Sequence, residues 1–330
     1  MHVGRMNSKI LRRCLEIYLC LNRRIWVRLP ASLRLRFLGR AYGRHLHALV
    51  CLHAERKQYH STFFLRNRPE LQVMCRLLDQ KAPDSSLDIS VLACSKGAEV
   101  YSMLWAIRSA RPDLKVNTNA LDISREIVEF AARGVYSRNS ADVQKAGKHE
   151  GSTEIGDVTW RDQPWSIFEC LTDREMEAMF EVKGDQVMVR PWLKQGITWH
   201  IADAGDPELV RIIGPQDMVM ANRFLCHMEP SAAEKCLRNI AWLVKPGGYL
   251  FVSGIDLDVR TKVARSLGWK PVPELMREVH EGDVSLKNGW PLEWWGLEPF
   301  CEDLPDWRIR YASIFQIGEG CPDTGVLVET

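Results

Sequence analysis

Apolar residues along this chain change their period near residue 83. Upstream, from Met6 to about Tyr59, they recur at mixed spacings of three and four (Leu11, Leu15, Leu19; Leu33, Phe37; Leu46, Leu49) with arginines between them, the pattern of amphipathic helices. Pro30 separates two helical stretches, and Ser32 is placed to cap the second. Residues 70–80 make another short helix, and Pro83-Asp84-Ser85-Ser86 marks a turn. Downstream, strand and helix signals alternate. Leu87 to Ala93 reads as a strand, Ala98 to Ser109 as a helix, Val116 to Leu121 as a strand, and Arg125 to Arg133 as a helix ended by Gly134. Such alternation predicts a parallel sheet with helices on its faces.

Residues 137–170 are polar and glycine-containing, carry Trp160 and Trp165, and show no period, so they read as a mobile loop. Thr172 is the expected cap of a helix reaching Phe180, and Phe180 to Val189 reads as a tight hairpin. The βα pattern then resumes: a strand from Ile197 to Ala202 ending at Asp203, a short buried strand from Asp217 to Ala221, a helix from Ser231 to Val244, a turn at Lys245-Pro246-Gly247-Gly248, and a strand from Tyr249 to Ser253. The tail carries Trp269, Trp290, Trp294, Trp295 and Trp307, either a wall for a bulky ligand or a flap that completes the core. Arg308 to Ile317 alternates like a final edge strand.

Composition narrows the setting. The apolar content of 46% over 330 residues allows a substantial core, in one large domain or two modest ones. Ten cysteines without a CxxC pair or a zinc-like cluster point to thiols in a reducing compartment. No apolar run is long enough to span a bilayer and no secretory signal is evident, so a cytoplasmic location is expected. The net charge of +2 hides an asymmetry: residues 1–60 carry +11 and the rest −9. That basic arm reads as a docking surface for an acidic protein, a nucleic acid or anionic lipid, or as the solvated face of an ordinary helical module. It lacks any groove-reading or aromatic-interleaved nucleic-acid motif.

The candidate chemistry sits at two strand ends. Cys94-Ser95-Lys96-Gly97-Ala98-Glu99 turns sharply from strand into helix, and Asp122 ends the next strand 28 residues after Cys94, slightly beyond the ~20 typical of a nucleotide-binding βαβ unit. A pyrophosphate is poorly matched here, because the loop has only Gly97 where a dinucleotide site has three glycines, and Glu99 would repel a phosphate at the helix start. An acid there suits a ligand with a positive group. S-adenosylmethionine answers that description, with an ammonium for Glu99, a ribose diol for Asp122 and an adenine amino group for Asp203.

From about residue 55 to 256 the chain resembles the CheR-type S-adenosylmethionine methyltransferases, which make methyl esters on chemoreceptor glutamates. His60-Ser61-Thr62-Phe63-Phe64-Leu65-Arg66 is similar to their TxFFR segment, Ala93 to Ser102 to the STGEEPYS loop, and Ala120 to Ser124 to the SDI motif. Asp217 to Glu229 resembles the DxIxCRNVxIYF strand, and Leu243 to Gly248 the LxPGG turn. The resemblance implies an α/β fold, a Rossmann-like class I methyltransferase sheet with a small N-terminal helical module and an inserted β-hairpin. The expected division is a basic helical module over 1–82 and a methyltransferase domain over 83–330, with the hairpin near 180–200 and the tryptophan-rich segment at 268–330.

Carried over by position, the resemblance implies that Glu99 holds the methionine ammonium, Asp122 the ribose, and Asp203 with Ala204 the adenine edge, while Ser61, Asn222 and Arg223 line the methyl donor. Cys94 and Gly97 belong to the same cofactor loop, Cys94 as a small buried residue with no nucleophilic role and Gly97 as its tight turn. The departures from the family pattern fall on the acceptor side. The arginine of TxFFR reads Leu65 unless a one-residue shift brings in Arg66, the Arg-Asn pair reads Asn222-Arg223, and the later tyrosine is His227. A carboxylate acceptor needs no base, whereas a hydroxyl or amine does, and His227 is the candidate for that role. Arg66 or Arg223 could anchor an anionic acceptor. The expected activity is O-methylation of a carboxylate or hydroxyl, with either a protein glutamate or a small molecule or saccharide as acceptor. The alternative is a methyltransferase-like regulatory or binding protein without turnover; a nicotinamide oxidoreductase is opposed by the missing glycines.

Overall fold

The computed structural model describes residues 9–54, 56, 60, 62–138, 166–283, 286 and 289–318. Ser61 and the stretch 139–165, which includes Trp160, Trp165 and most of the expected loop, lie outside them. The described residues fall into two compact units: one of 9–54 with 286 and 289–299, the other of the remainder.

In the smaller unit, α1 (Lys9–Arg28), α2 (Ala31–Arg34) and α3 (Phe37–His53) follow one another. Pro30, which has no amide to continue a helix, ends the first and stands at the N-cap of the second. Ser32 therefore lies inside α2 rather than capping it. Trp26 of α1 and Leu46 of α3 bury themselves with Leu292, and Trp290 meets Trp26 edge-on at 5.4 Å. Gly43 makes room for this contact, since a Cβ there would stand 2.2 Å from the Trp290 ring. Several basic residues turn inward on the same unit. Arg23 donates to the Leu292 carbonyl at 2.5 Å, Arg40 to that of Pro299 at 3.2 Å, and Arg44 twice to Glu298 at 3.0 and 2.6 Å. Part of the basic charge thus fastens the tryptophan-rich segment 289–299 to the helices.

The larger unit begins with α4 (Arg68–Leu77), β1 (Ser86–Leu92), α5 (Ala98–Ala110), β2 (Lys115–Asp122) and α6 (Arg125–Arg133). An excursion follows through β3 (Val135–Ser137), α7 (Asp173–Met179), β4 (Phe180–Lys183), β5 (Gln186–Val189) and α8 (Pro191–Lys194). The repeat resumes with β6 (Ile197–Ile201), α9 (Leu209–Ile213), β7 (Gln216–Met220), α10 (Pro230–Ala241), β8 (Val244–Phe251) and α11 (Leu257–Ser266). Last come β9 (Lys270–Pro271), α12 (Met276–Gly282), α13 (Trp307–Tyr311) and β10 (Ile314–Gln316).

The main sheet runs β6-β2-β1-β7-β8-β10-β9, with the first five strands parallel and β10 antiparallel to both its neighbours. This is an open, Rossmann-like, mostly parallel sheet. β1 alternates polar and apolar residues over Ser86 to Ser90, yet from Ile89 to Leu92 it is buried on both faces. Strand order reverses between β1 and β7, which leaves a crevice beyond their carboxyl ends.

Two tail elements differ from expectation. Residues 307–311 form a helix and β10 lies inside the sheet, between β8 and β9, rather than at its edge. The helical turn buries Tyr311 against His280 and Phe300, with centroids 4.9 and 4.8 Å away, and presents the Arg310 carbonyl to buried Arg260 at 2.9 Å. A continuous strand would break both contacts. The tail tryptophans are shared between the units: buried Trp269 packs on Phe315 and half-buried Trp307 on Phe300 in the larger unit, and half-buried Trp290 on Trp26 in the smaller. Lys245 to Gly248 is carried within β8, across a register shift opposite Gln216 and Met218, instead of forming a separate turn.

The hairpin at 180–189 gains β3 to become a three-stranded sheet, β3-β5-β4. Its rings Tyr136 and Phe180, at 5.3 and 4.8 Å, form an aromatic cluster on Phe64 together with Phe168 of the turn before α7, at 5.7 Å. Nearby, Thr172 and Glu175 cap α7 reciprocally, and Arg68 grips Glu175 through bonds of 2.6 and 2.7 Å. The Arg68 bonds, reinforced by Thr172, hold the Glu175 carboxyl at about 2, below its ordinary 4.5. Because this pKa is depressed by folding, the stabilisation is full above about 4.5 and is lost as pH falls through about 2. Glu175→Gln is expected to cost about 1 kcal/mol at pH 7 in urea denaturation, with the deficit shrinking toward zero by pH 2.

Candidate functional site

The chain leaves β1 through three residues with positive φ: Ala93 (+50°), Ser95 (+49°) and Gly97 (+83°). Only glycine takes this conformation without strain, and a Cβ on Gly97 would also crowd Ala131 at 3.1 Å and Tyr101 at 3.2 Å. The turn is held by bonds at every step. The Cys94 amide donates to the Leu121 carbonyl at 2.8 Å, the Ser95 amide to Asp122 Oδ2 at 3.0 Å, and the Gly97 amide to the Cys94 carbonyl at 3.0 Å. Ser95 Oγ donates to the His60 carbonyl at 3.0 Å, and the Tyr136 hydroxyl to that of Lys96 at 2.7 Å. Asp122 Oδ1 also accepts the Ser124 amide at 3.1 Å, so this one carboxylate ties the loops after β1 and β2 together. Cys94 is buried beneath the turn. Burial, then the charge of Asp122, pushes its thiol well above the usual range, which leaves it a poor nucleophile.

The segment before α4 is fixed from both sides. The Phe64 amide donates to the Ile167 carbonyl at 3.0 Å while its ring sits in the aromatic cluster, and the Leu65 amide donates to Ser102 Oγ on α5 at 2.9 Å. Leu65 is buried with φ at +51°, and this turn sends Arg66, not Leu65, to the lining of a small cavity. Of the two residues, Arg66 is thus the one that reaches the cavity.

That cavity, of about 40 Å³, lies beyond the carboxyl ends of β1, β7 and β8 and is rimmed by α4. Its charged and polar lining includes Arg66, Glu70, Glu99, Asn222, Arg223 and Asp283. Asn222 is the node. Its Nδ2 donates to Glu99 Oε1 at 2.6 Å and Glu70 Oε1 at 3.0 Å, while its Oδ1 accepts the Ser253 amide at 2.9 Å and hydroxyl at 2.8 Å. Arg223, itself at φ +64°, pairs with buried Asp283, and Arg66 stacks over Phe63 at 5.0 Å.

Burial dominates the electrostatics. It pushes Glu70 up to about 8, with the neighbouring Glu99 charge adding to the effect and the Asn222 bond opposing it. Burial also raises Glu99, against the Asn222 bond and the two guanidiniums. Arg66 falls to about 10 through burial and the proximity of Arg223. Oε2 of Glu70 is buried and has no hydrogen-bond partner among the described residues.

Of the residues singled out in the sequence, the fold brings Glu99, Asn222 and Arg223 to one cavity, with Asp122, Cys94 and Gly97 in the loops next to it. Asp203 lies at the end of β6, exposed, its Oδ1 accepting the Gly205 amide at 2.8 Å, and Ala204 is buried beside it. His227 stands on a one-turn 3₁₀ helix, Leu225–His227, and is not part of the cavity lining. Ser61 lies outside the described residues. Sequence reasoning missed Glu70, Ser253 and Asp283. Glu70 occupies the third position of α4, where acids are common and its amide is capped by Asn67, so nothing in the pattern separates it from an ordinary helix-start acid. Asp283 lies 60 residues after Arg223, beyond any motif spacing. Among the described residues no cluster suited to a metal ion occurs and no helix is long and apolar enough to cross a membrane.

Residues 60–151 match the family model described as CheR methyltransferase, SAM binding domain. An uncharacterized 104.1 kDa protein in the hypE 3' region of Rhodobacter capsulatus is 26% identical over 198 residues, which cover 58% of this chain and 17% of that protein. The probable biofilm formation methyltransferase WspC of Pseudomonas aeruginosa is 24% identical over 196 residues, 58% of this chain and 40% of WspC. The chain therefore matches less than half the length of either relative. A solved structure of magnesium protoporphyrin IX methyltransferase from Synechocystis PCC 6803 superposes with a TM-score of 0.33 at 11% identity, covering 82% of this chain and 90% of that one.

The raised carboxyl of Glu70 carries a stability signature. A folded-state pKa above the unfolded value stabilises the fold fully at low pH and loses that contribution as pH rises through about 8. Glu70→Gln, which keeps the acceptor for Asn222 but cannot ionise, is expected to gain stability relative to wild type from about pH 4.5 upward, levelling off above pH 8 at about 2–4 kcal/mol. Urea denaturation of both proteins across that range measures it.

Proposed function

We propose that this chain, which carries a CheR-type S-adenosylmethionine-binding domain, transfers the cofactor's methyl group to an oxygen atom, and that the oxygen belongs to a carboxylate. The observation that carries the reading is an acid and a guanidinium, Glu99 and Arg66, on the lining of one cavity at the point where strand order reverses. Such a pair suits a zwitterionic α-amino acid, with the ammonium at Glu99 and the carboxylate at Arg66. Each Asp122 oxygen accepts one backbone amide, and its second lone pair remains for a ribose hydroxyl. Asp203 and Ala204, at the end of β6, are in the reading the adenine edge. Asn222 orients Glu99, and Ser253 in turn fixes Asn222.

When bound, the cofactor supplies a methyl group on a sulfonium, an electrophile strong enough that the protein contributes chiefly orientation and exclusion of water. A carboxylate acceptor is already a nucleophile at neutral pH. This agrees with a lining that holds two guanidiniums, Arg66 and Arg223, and no histidine among the described residues. A hydroxyl acceptor would instead need the proton removed, and His227, on the turn after β7, is the group that reading requires. The named activity of WspC, a methyltransferase, supports the general reading without specifying the acceptor.

Calorimetric titration with S-adenosylmethionine tests the cofactor assignment. Wild type is expected to bind, and Asp122→Ala and Glu99→Gln each to weaken binding at least about tenfold; no binding to wild type, or full affinity in both variants, overturns it. Methyl-labelled cofactor added to a cell lysate tests the acceptor. Methyl esters release their label as volatile methanol in alkali, whereas methyl ethers keep it, so alkali-stable label together with loss of turnover in His227→Ala would replace the carboxylate with a hydroxyl.

A further inference from the structure

Glu70 does not belong to the reading above, yet its placement is unusual. The residue is 4% exposed, it lines the same cavity as Glu99, and Oε2 is buried without a hydrogen-bond partner among the described residues while Oε1 shares the Asn222 amide with Glu99. Its packed neighbours supply the charges it faces. Glu99 comes from α5, Asp283 follows α12, and Arg66 precedes α4; His280 of α12 turns instead to Phe300 and Tyr311. With Arg223, which pairs with Asp283, the lining holds three carboxyl groups and two guanidiniums.

Fully ionised, that set carries one net negative charge. S-adenosylmethionine carries one net positive charge, because its ammonium and carboxylate cancel and the sulfonium remains. S-adenosylhomocysteine, left after the methyl group departs, carries none. An uncompensated charge in a small enclosed cavity is costly, so the lining must balance whichever ligand it holds. Arginine does not give up its proton at neutral pH, Asp283 pairs with Arg223, and Glu99, although burial raises it too, holds the shorter Asn222 bond, 2.6 Å against 3.0 Å, and faces both guanidiniums. Glu70, with one unpartnered oxygen, is the group left to adjust.

Resting on the cofactor assignment proposed above, we infer that Glu70 is the charge-balancing residue of the site: it gives up its proton when the sulfonium cofactor enters and takes one back when the neutral product remains. The burial-raised carboxyl described above means that Glu70 holds its proton at neutral pH while the cavity is without a cationic ligand. The proton passes to solvent on cofactor binding and returns from solvent at the product stage, so no other reactant is required. One acid thereby lets the site distinguish cofactor from product by charge rather than by the size of a methyl group.

Calorimetry at pH 7 in two buffers of different ionisation enthalpy counts the protons released on binding. Because the two ligands share every group except the methyl sulfonium, wild type is expected to release close to one more proton with S-adenosylmethionine than with S-adenosylhomocysteine. The ratio of their affinities should rise by up to about tenfold per pH unit from pH 6 to 8. In Glu70→Gln both the difference in proton count and the pH dependence of the ratio should vanish. Equal proton counts for the two ligands on wild type, or a difference that persists in Glu70→Gln, overturns the assignment and leaves the cofactor reading intact. Failure of either ligand to bind wild type overturns the cofactor reading, and this assignment with it.

Discussion

A single carboxamide holds the business end of this molecule together. Asn222 follows β7, receives Ser253 from the end of β8, and donates to Glu99 at the start of α5 and to Glu70 on α4. Four segments far apart in sequence thus meet at one side chain, with four hydrogen bonds of 2.6 to 3.0 Å in a site largely shielded from water. Bonds to charged, buried partners are worth more than ordinary ones, and the cost of leaving such groups unpaired is higher still. The amide nitrogen also brings two carboxyl groups together, and burial first, then the charge of Glu99, raises the Glu70 carboxyl against the Asn222 bond.

The rest of the larger unit reads as support for this arrangement. Reversal of strand order between β1 and β7 opens the crevice, and Asp122 stitches the loops after β1 and β2 into a rigid floor beside it. The small antiparallel sheet has a role that its place in the chain conceals: with Phe168, its Tyr136 and Phe180 cage Phe64, and this anchor decides which of the next two residues reaches the cavity. Strained backbone recurs at Leu65, Ala93, Ser95 and Arg223, each adjacent to the site. Such conformations persist where surrounding bonds over-determine them, and here those bonds are visible at every one of the loops.

Charge is organised differently in the two units. The smaller unit concentrates arginines, and three of them, Arg23, Arg40 and Arg44, fasten the segment 289–299 rather than meet solvent alone. The larger unit gathers key charges around one cavity, in whose lining acids outnumber bases by one. An electrostatic imbalance enclosed in a cavity must be settled by protons or by a ligand. This is the physical basis for linking cofactor charge to Glu70.

Local pattern was enough for the βα repeat, the turn into α5, the cap at Thr172 and the hairpin at 180–189, because each is encoded by residues within one or two turns of one another. The same is true of Glu99 and Asp122, which stand at strand ends that the periodicity already marks, and of the family resemblance, which is a string of such local motifs. Pattern failed where the outcome depends on distant partners. Arg308 to Ile317 alternates like a strand, yet burial of Tyr311 and the bond from Arg260 to the Arg310 carbonyl make its first half a helix. Leu65 and Arg66 were indistinguishable as candidates until the aromatic cage on Phe64 and the Ser102 bond set the turn between them. Glu70 looked like any acid at a helix start, and only the approach of Asn222, 152 residues away, made it part of the site. Sequence alone determined the sheet and its loops, since those follow from short-range periodicity and chemistry. Which charges share a cavity, and which of them must hold a proton, was decided by tertiary structure, because desolvation depends on everything packed around a group and not on its neighbours in the chain.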